Sequence, residues 1–226
     1  VRAGDGDDRV TSDSYSWLDG GEGHDRLMAG DNSVLIGGDG DDWLSGAKNA
    51  RLSGGDGNDI LFARQNSIAQ GGQGDDAVQV GEGSVVLFNK GDGHDVLQAM
   101  GKTSITSGLL SKSEIAFGPD IAPEDLSIVT DGDRLVIIIG GGEDSITLQT
   151  PKDLSLHPNF SGLKTAPTAP KGAGHFVGNH VWQQTGNIVT ADGINPDHVP
   201  TLRFSDGTVL TGADVANLPR TSAGNL

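Results

Sequence analysis

The sequence predicts an all-β chain in two parts, a solenoid of short stacked strands over residues 1–98 and an antiparallel, β-rich cap over 99–226. Three observations carry this. A nonapeptide recurs six times before residue 98, its copies beginning at Ala3, Gly20, Gly37, Gly54, Gly71 and Lys90, in steps of 17, 17, 17, 17 and 19. Glycine makes up 36 of 226 residues while aromatics are only 4%, too few large side chains for an ordinary globular core. Beyond residue 98 the repeat stops, and apolar runs separated by Asp-Gly turns take over, the pattern of hairpins.

The clearest copy is Gly37-Gly38-Asp39-Gly40-Asp41-Asp42-Trp43-Leu44-Ser45. Each period reads as one coil: a six-residue Gly/Asp turn, a short strand, a shorter turn and a second strand. Val10, Leu27, Leu44, Leu61, Val78 and Leu97 are then stacked at the ~4.8 Å spacing of neighbouring strands and form one inner wall. Leu18, Leu35, Leu52 and Ala69 form the other. The segments between copies, such as 29–36, 46–53 and 63–70, share Asn32, Asn49 and Asn66. Asn tolerates left-handed backbone, so this column is expected to close the second edge. The 19-residue step is expected to place its two extra residues on that same edge, near the apolar run Val85–Phe88.

The formal net charge is −16. Up to residue 98 there are 16 Asp and 2 Glu against 7 Lys or Arg, leaving −11 on the repeat. A phosphate backbone selects Lys and Arg, so nucleic acid is excluded as a partner. A merely solvated acidic face would favour Glu and Lys and show no period; regularly spaced Asp with Gly between points to a hard cation. Glycines permit φ > 0 and turn carbonyl oxygens inward, and a carboxylate at position six adds charge. Calcium takes six to eight oxygen ligands in loose geometry, whereas magnesium demands a tighter octahedron and zinc prefers His or Cys.

The pattern Gly-Gly-x-Gly-x-Asp-x-apolar-x resembles the haemolysin-type calcium-binding nonapeptide of the repeats-in-toxin (RTX) family. The resemblance implies a parallel β-roll with calcium between successive turns. It also implies that carbonyls at positions two and four with the Asp at six bind one ion, while carbonyls at one and three with the same Asp face the next. The carboxylates would be Asp8, Asp25, Asp42, Asp59, Asp76 and Asp95. The position-two and position-four carbonyls would be those of Gly4 and Gly6, Gly21 and Gly23, Gly38 and Gly40, Gly55 and Gly57, Gly72 and Gly74, and Gly91 and Gly93. Those at one and three would be Ala3 and Asp5, Gly20 and Glu22, Gly37 and Asp39, Gly54 and Asp56, Gly71 and Gln73, and Lys90 and Asp92. Ala3 and Lys90 depart from the first glycine and keep a carbonyl ligand if their backbone adopts the turn. One half of every coil lacks the pattern, so a single ion column is expected, with about five calcium ions in the five gaps between six loops.

On the outside of the roll, Met28, Trp43, Ile60, Phe62 and Val96 make a face too apolar to stay exposed; the C-terminal region or sequence beyond this chain is expected to cover it. In the cap, strands are expected at 113–118, 126–130, 134–139 and 145–148, with a turn at Asp131, Gly132 and Asp133 and a hairpin loop at Gly140, Gly141 and Gly142. No Lys or helix follows those glycines, which argues against phosphate binding. Residues 117–148 resemble the domain that commonly follows RTX repeats, where it covers the last coil. Residues 150–200 are irregular, broken by Pro151, Pro158, Pro167 and Pro170. The chain then ends on a hairpin around Asp206 and Gly207, with Thr211 as N-cap of a short helix over 213–218;. His175 and His180 have no carboxylate between them and are not read as a zinc site; His24 and His94, at position five, are expected to be solvated.

There is no cysteine, which excludes disulfides and thiolate metal sites. No apolar run approaches the ~18 residues of a membrane span, and no signal peptide is recognisable. Val1 falls within the lead-in to a repeat, which suggests a fragment. With no Gly-x-Ser-x-Gly, His-Glu-x-x-His or Cys, and with paired Asp residues explained by the turns, an enzyme is not expected. A chain so charged and so poor in core residues is expected to be disordered without cations. It therefore reads as a module that folds on calcium outside the cell, the C-terminal part of a bacterial exoprotein. The resemblance implies passage through a type I secretion apparatus. The alternative is a calcium-stabilised adhesin presenting a glycan- or host-surface-binding face, with Trp43 and the chain near Trp182 as contacts.

Overall fold

The structure, a computed structural model, describes residues 1–100, 110–131, 134–149, 189–190 and 193–221. Two nine-stranded sheets form the walls of a solenoid. The first wall runs, in spatial order, Arg2–Asp5, Trp17–Glu22, Val34–Asp39, Arg51–Asp56, Ile68–Gln73, Val85–Phe88, Glu114–Phe117, Thr201–Arg203 and Val209–Leu210. The second runs Arg9–Thr11, Arg26–Ala29, Trp43–Gly46, Ile60–Ala63, Ala77–Val80, His94–Ala99, Asp144–Gln149, Arg134–Ile139 and Leu126–Asp131. Within the coils every pairing is parallel, because the chain makes one circuit per strand pair and never turns back. No helix among the described residues is long and apolar enough to cross a membrane.

The expected apolar columns stand in register. Val10, Leu27, Leu44, Leu61, Val78 and Leu97 are stacked in the second wall, and Leu18, Leu35, Leu52 and Ala69 in the first. Leucines at 18, 27, 35, 44 and 61 are wholly buried. Both columns run on past residue 98: the first through Val86, Ile115 and Leu202, the second through Leu148 and Leu135. The cap thus continues the two walls, joining them by parallel strands before it turns antiparallel at 144–149, 134–139 and 126–131 and again between 201–203 and 209–210. Asp131 pairs with Arg134, as expected for the hairpin; Gly132 and Asp133 lie outside the described residues, as do His175, His180 and Trp182. The helix is Gly212–Val215, shorter than expected, and Asp214 accepts from the Thr211 N–H at 2.8 Å and its hydroxyl at 2.6 Å.

One expectation is corrected. Val85, Val86 and Leu87 pair with Ile68, Ala69 and Gln70 at an offset of 17, whereas Ala77 to Val80 pair with Val96 to Ala99 at an offset of 19. The two extra residues therefore fall between Leu87 and Asp92, on the glycine-rich edge and not on the Asn edge. One position past the last register pair, Phe88 takes the place that Gly71 holds in the preceding coil. Phe88 packs edge-on against Phe117 at 6.2 Å, and Phe117 against Phe204 at 5.1 Å, so an aromatic file closes the end of the glycine column.

Candidate metal centre

Each coil turns twice. At the edge away from the Gly/Asp turns, Asn32, Asn49 and Asn66 hold φ of 58°, 57° and 57°, the left-handed conformation expected of them. Tyr15, at φ 60°, and Gly83, at φ 76°, extend the column at its two ends. Beside it runs a ladder that the sequence reading missed. The backbone N–H of Ser16 donates to Ser33 Oγ at 3.0 Å, that of Ala50 to Ser67 Oγ at 3.1 Å, and that of Ser67 to Ser84 Oγ at 3.2 Å. Its signal was the 17-residue spacing of Ser16, Ser33, Ser67 and Ser84, broken by Ala50.

At the other edge the position-six carboxylates form a second ladder. The N–H of Asp8 donates to Asp25 Oδ1 at 2.8 Å, Asp25 to Asp42 at 2.7 Å, Asp42 to Asp59 at 2.7 Å, Asp59 to Asp76 at 2.7 Å and Asp76 to Asp95 at 3.1 Å. Position five runs the opposite way. Asp7 accepts from His24 N–H at 3.0 Å, His24 Nδ1 from Asp41 at 2.8 Å, Asp41 from Asn58 at 2.8 Å, Asn58 from Asp75 at 2.8 Å and Asp75 from His94 at 3.2 Å. His24 is thus exposed, as expected, yet its ring nitrogen closes a backbone hydrogen bond.

The position-six ladder consumes only one oxygen of each carboxylate. Oδ2 of Asp25, Asp42, Asp59 and Asp76 is buried and has no hydrogen-bond partner, an arrangement that costs several kcal/mol for an isolated charge. Burial accordingly pushes the carboxyl of Asp42 up to about 7, Asp59 to about 8 and Asp76 to about 7, and raises Asp25 and Asp95. The N–H donated to each acts in the opposite sense and is outweighed.

Each orphan oxygen faces a space that only glycine leaves open. A Cβ on Gly37 would collide with Asp42 Oδ2 and lie 2.6 Å from the carbonyl oxygen of Gly54. The same relation holds for Gly20 with Asp25 and Gly37, and for Gly54 with Asp59 and Gly71. Position-one glycines are therefore required for the missing Cβ; their φ lies outside the left-handed region, in which those at two and four sit, between 99° and 138° in the first five coils. The carbonyls of Gly21, Gly38 and Gly55 point at the position-two glycine of the next coil, and those of Gly23, Gly40 and Gly57 at its position-four glycine. Carboxylate and carbonyl oxygens thus converge between coils. Position-three carbonyls each accept one hydrogen bond, those of Glu22, Asp39, Asp56, Gln73 and Asp92 from the position-four N–H of the preceding coil at 2.6–2.9 Å, which leaves each a second lone pair.

The two ends depart from this pattern. Ala3 carries a Cβ at the position where, in the next four coils, a Cβ would collide with the position-six carboxylate. Lys90 and Gly91 lie in a turn outside the strand, with Asp92 Oδ2 accepting from Asn89 N–H at 2.8 Å, so positions one and two of the sixth loop do not stack as expected. Asp144 closes that loop, accepting from Gly91 N–H at 2.9 Å and Gly93 N–H at 3.1 Å. Three cradles are complete, those of Asp25, Asp42 and Asp59. Among the described residues no three His, Cys, Asp or Glu side chains converge as a metal-ligand cluster; the donor set is one carboxylate per coil plus backbone oxygens, which suits a large hard cation and not zinc.

No family model matches the chain, and no curated protein does. Among solved structures, the crystal structure of extracellular lipase LipA from Serratia marcescens is similar at 16% identity and a TM-score of 0.33, over 66% of this chain and 37% of that one. The chain spans little more than a third of that lipase, and a likeness at this level bears on no functional point.

On the outside of the second wall, Ile60 is buried and Trp43 and Phe62 are half-buried around Ala77. The Trp43 ring lies 5.3 Å from Phe62 and 4.2 Å from the Arg26 guanidinium carbon. One face of the half-buried ring is thus taken up by Arg26.

Proposed function

We propose that this chain is a calcium-binding module that folds on calcium outside the cell, as the C-terminal part of a type I-secreted exoprotein. The observation that carries the reading is the file of unpartnered, buried Asp Oδ2 atoms, three of which, on Asp25, Asp42 and Asp59, face the same Cβ-free space as the position-one carbonyl of the next coil. A divalent cation held between coils neutralises those carboxylates and satisfies Oδ2 atoms that nothing else uses;. Three ions occupy the complete cradles, and the altered loops at Ala3 and Lys90 hold up to two more, weaker ones. The RTX resemblance of the nonapeptide supports calcium over other hard cations and gives the secretory setting. Extracellular calcium modules bind with Kd on the order of 10⁻⁴–10⁻³ M, so the chain stays unfolded at cytosolic calcium and folds on release.

Circular dichroism across a calcium titration tests this. Strand signal is expected to appear cooperatively and to be lost on adding EGTA, with three to five ions bound per chain by equilibrium dialysis. A strand signal indifferent to EGTA overturns the reading.

A further inference from the structure

Arg26 sits at position seven of the second coil, on the outer face of the second wall, in register with Arg9 on one side and Trp43 on the other. Its guanidinium is stacked on the Trp43 ring at 4.2 Å. Its Nε and Nη2 atoms are buried, and neither has a hydrogen-bond partner. These two nitrogens are the side of the guanidinium whose N–H bonds run parallel, the fork that grips a carboxylate or sulfate with two bonds at once. The same fork is filled elsewhere in this protein: Arg203 Nε and Nη2 hold the two oxygens of Glu114 at 2.7 and 2.9 Å. In a chain with 31 acids and 15 bases, an arginine fork facing no acid is unexpected, and Arg9 beside it adds a second positive charge.

We propose that the Arg9–Arg26 pair is a binding site for an oxyanion, the carboxylate or sulfate group of an acidic ligand, gripped by the Arg26 fork. Trp43 fixes the plane of the guanidinium, so the fork is held before the ligand arrives and little side-chain entropy is lost on binding. Arg9 is exposed and, in register beside Arg26, supplies further donors to the anion. The site lies on a wall of the roll, outside the coil-to-coil gaps in which the Asp ladder runs. It is therefore independent of the cation column, apart from needing a folded roll.

The test uses the calcium-loaded protein labelled with [15N]arginine and titrated separately with sodium sulfate and sodium glucuronate at constant ionic strength. The Nε–H resonance of Arg26, assigned by its loss in R26K, is expected to shift saturably. R26K, which keeps the charge but loses the fork, is expected to bind at least about tenfold more weakly by calorimetry, the equivalent of one charged hydrogen bond, and R9Q a few-fold more weakly. A response to both anions assigns a general oxyanion site, and a response to one alone identifies which group the ligand carries. No saturable shift with either anion, or undiminished affinity in R26K, overturns the proposal. Should R26K fail to fold, the calorimetric affinity of the wild type for each anion, set against that of R9Q, still decides it.

Discussion

The two turns of each coil solve one problem with different chemistry. At both, side chains spaced one coil apart accept the backbone N–H groups that an edge would strand: Ser Oγ at one, Asp Oδ1 at the other. A serine hydroxyl has a carbonyl within reach for its own proton, as when Ser67 donates to Ala47 O at 3.1 Å and Ser84 to Arg64 O at 2.9 Å, so that edge is closed. An aspartate offers two acceptors and uses one, leaving Oδ2 buried and unmatched. The difference teaches that the acidic edge is incomplete by construction, since a serine would have served an edge that needed no further partner.

The largest expected effect breaks the acidic edge alone. Gly54→Ala leaves the backbone unstrained, but its Cβ would collide with Asp59 and lie 2.5 Å from the Gly71 carbonyl. It should cost on the order of 1–3 kcal/mol by overpacking and, beyond that, displace the oxygen proposed to bind calcium. A calcium titration followed by circular dichroism is expected to show a raised midpoint and reduced cooperativity. An unaltered midpoint would mean that the cradle is not the binding site.

Proton linkage sharpens the comparison next. Asp42, Asp59 and Asp76 carry folded-state values of about 7, about 8 and about 7 against 3.8 for an exposed aspartate. Because the folded form holds these protons more tightly, protonation stabilises the calcium-free roll relative to its ionised form, an effect fully present below about pH 4 and lost as pH rises through 7 to 8. Calcium is proposed to bind the ionised carboxylates, so its affinity should rise over the same window and level off above it. In EGTA the strand signal should be stronger at pH 5 than at pH 8, and calcium should abolish the difference. Equal signals in EGTA would contradict the raised values.

Much of this was legible in the sequence, and what was not has physical reasons. The apolar columns and the Asn column follow from a constant step, because identical spacing forces identical register. The 19-residue step fixes only the number of inserted residues, and either turn of the coil could absorb them; Phe88 standing over Gly71 decided it. The Gly20, Gly37 and Gly54 file looked like a need for unusual φ, since nonapeptide glycines at positions two and four do have it. Only the coordinates show that position one is crowded by the carboxylate of its own coil. The stacking of Arg26 on Trp43 was hidden because the residues that meet across parallel strands lie 17 apart and differ in chemistry.

A smaller effect separates the serine edge. Ser67→Ala removes the acceptor of the Ala50 N–H at a site with no proposed ion, so it is expected to cost about 1 kcal/mol in thermal stability and to leave the calcium midpoint per folded molecule unchanged. A loss of calcium sites on that substitution would show that the two edges are not separable.

The smallest effect runs in the favourable direction. Tyr15 occupies the left-handed position that Asn fills in the next three coils, and the residue is 82% exposed, so little burial offsets a backbone cost of roughly 1–2 kcal/mol. Asn at that position hydrogen-bonds locally and tolerates the conformation; Asn49 also donates through Nδ2 to Asn32 Oδ1 at 3.2 Å, a contact that Tyr15→Asn would extend by one coil. The substitution should raise the melting temperature of the calcium-loaded protein by a few degrees, on the order of 1 kcal/mol. A lowered melting temperature would mean that the tyrosine ring makes a contact whose worth exceeds the strain, and the first coil would then differ from its neighbours in more than its backbone.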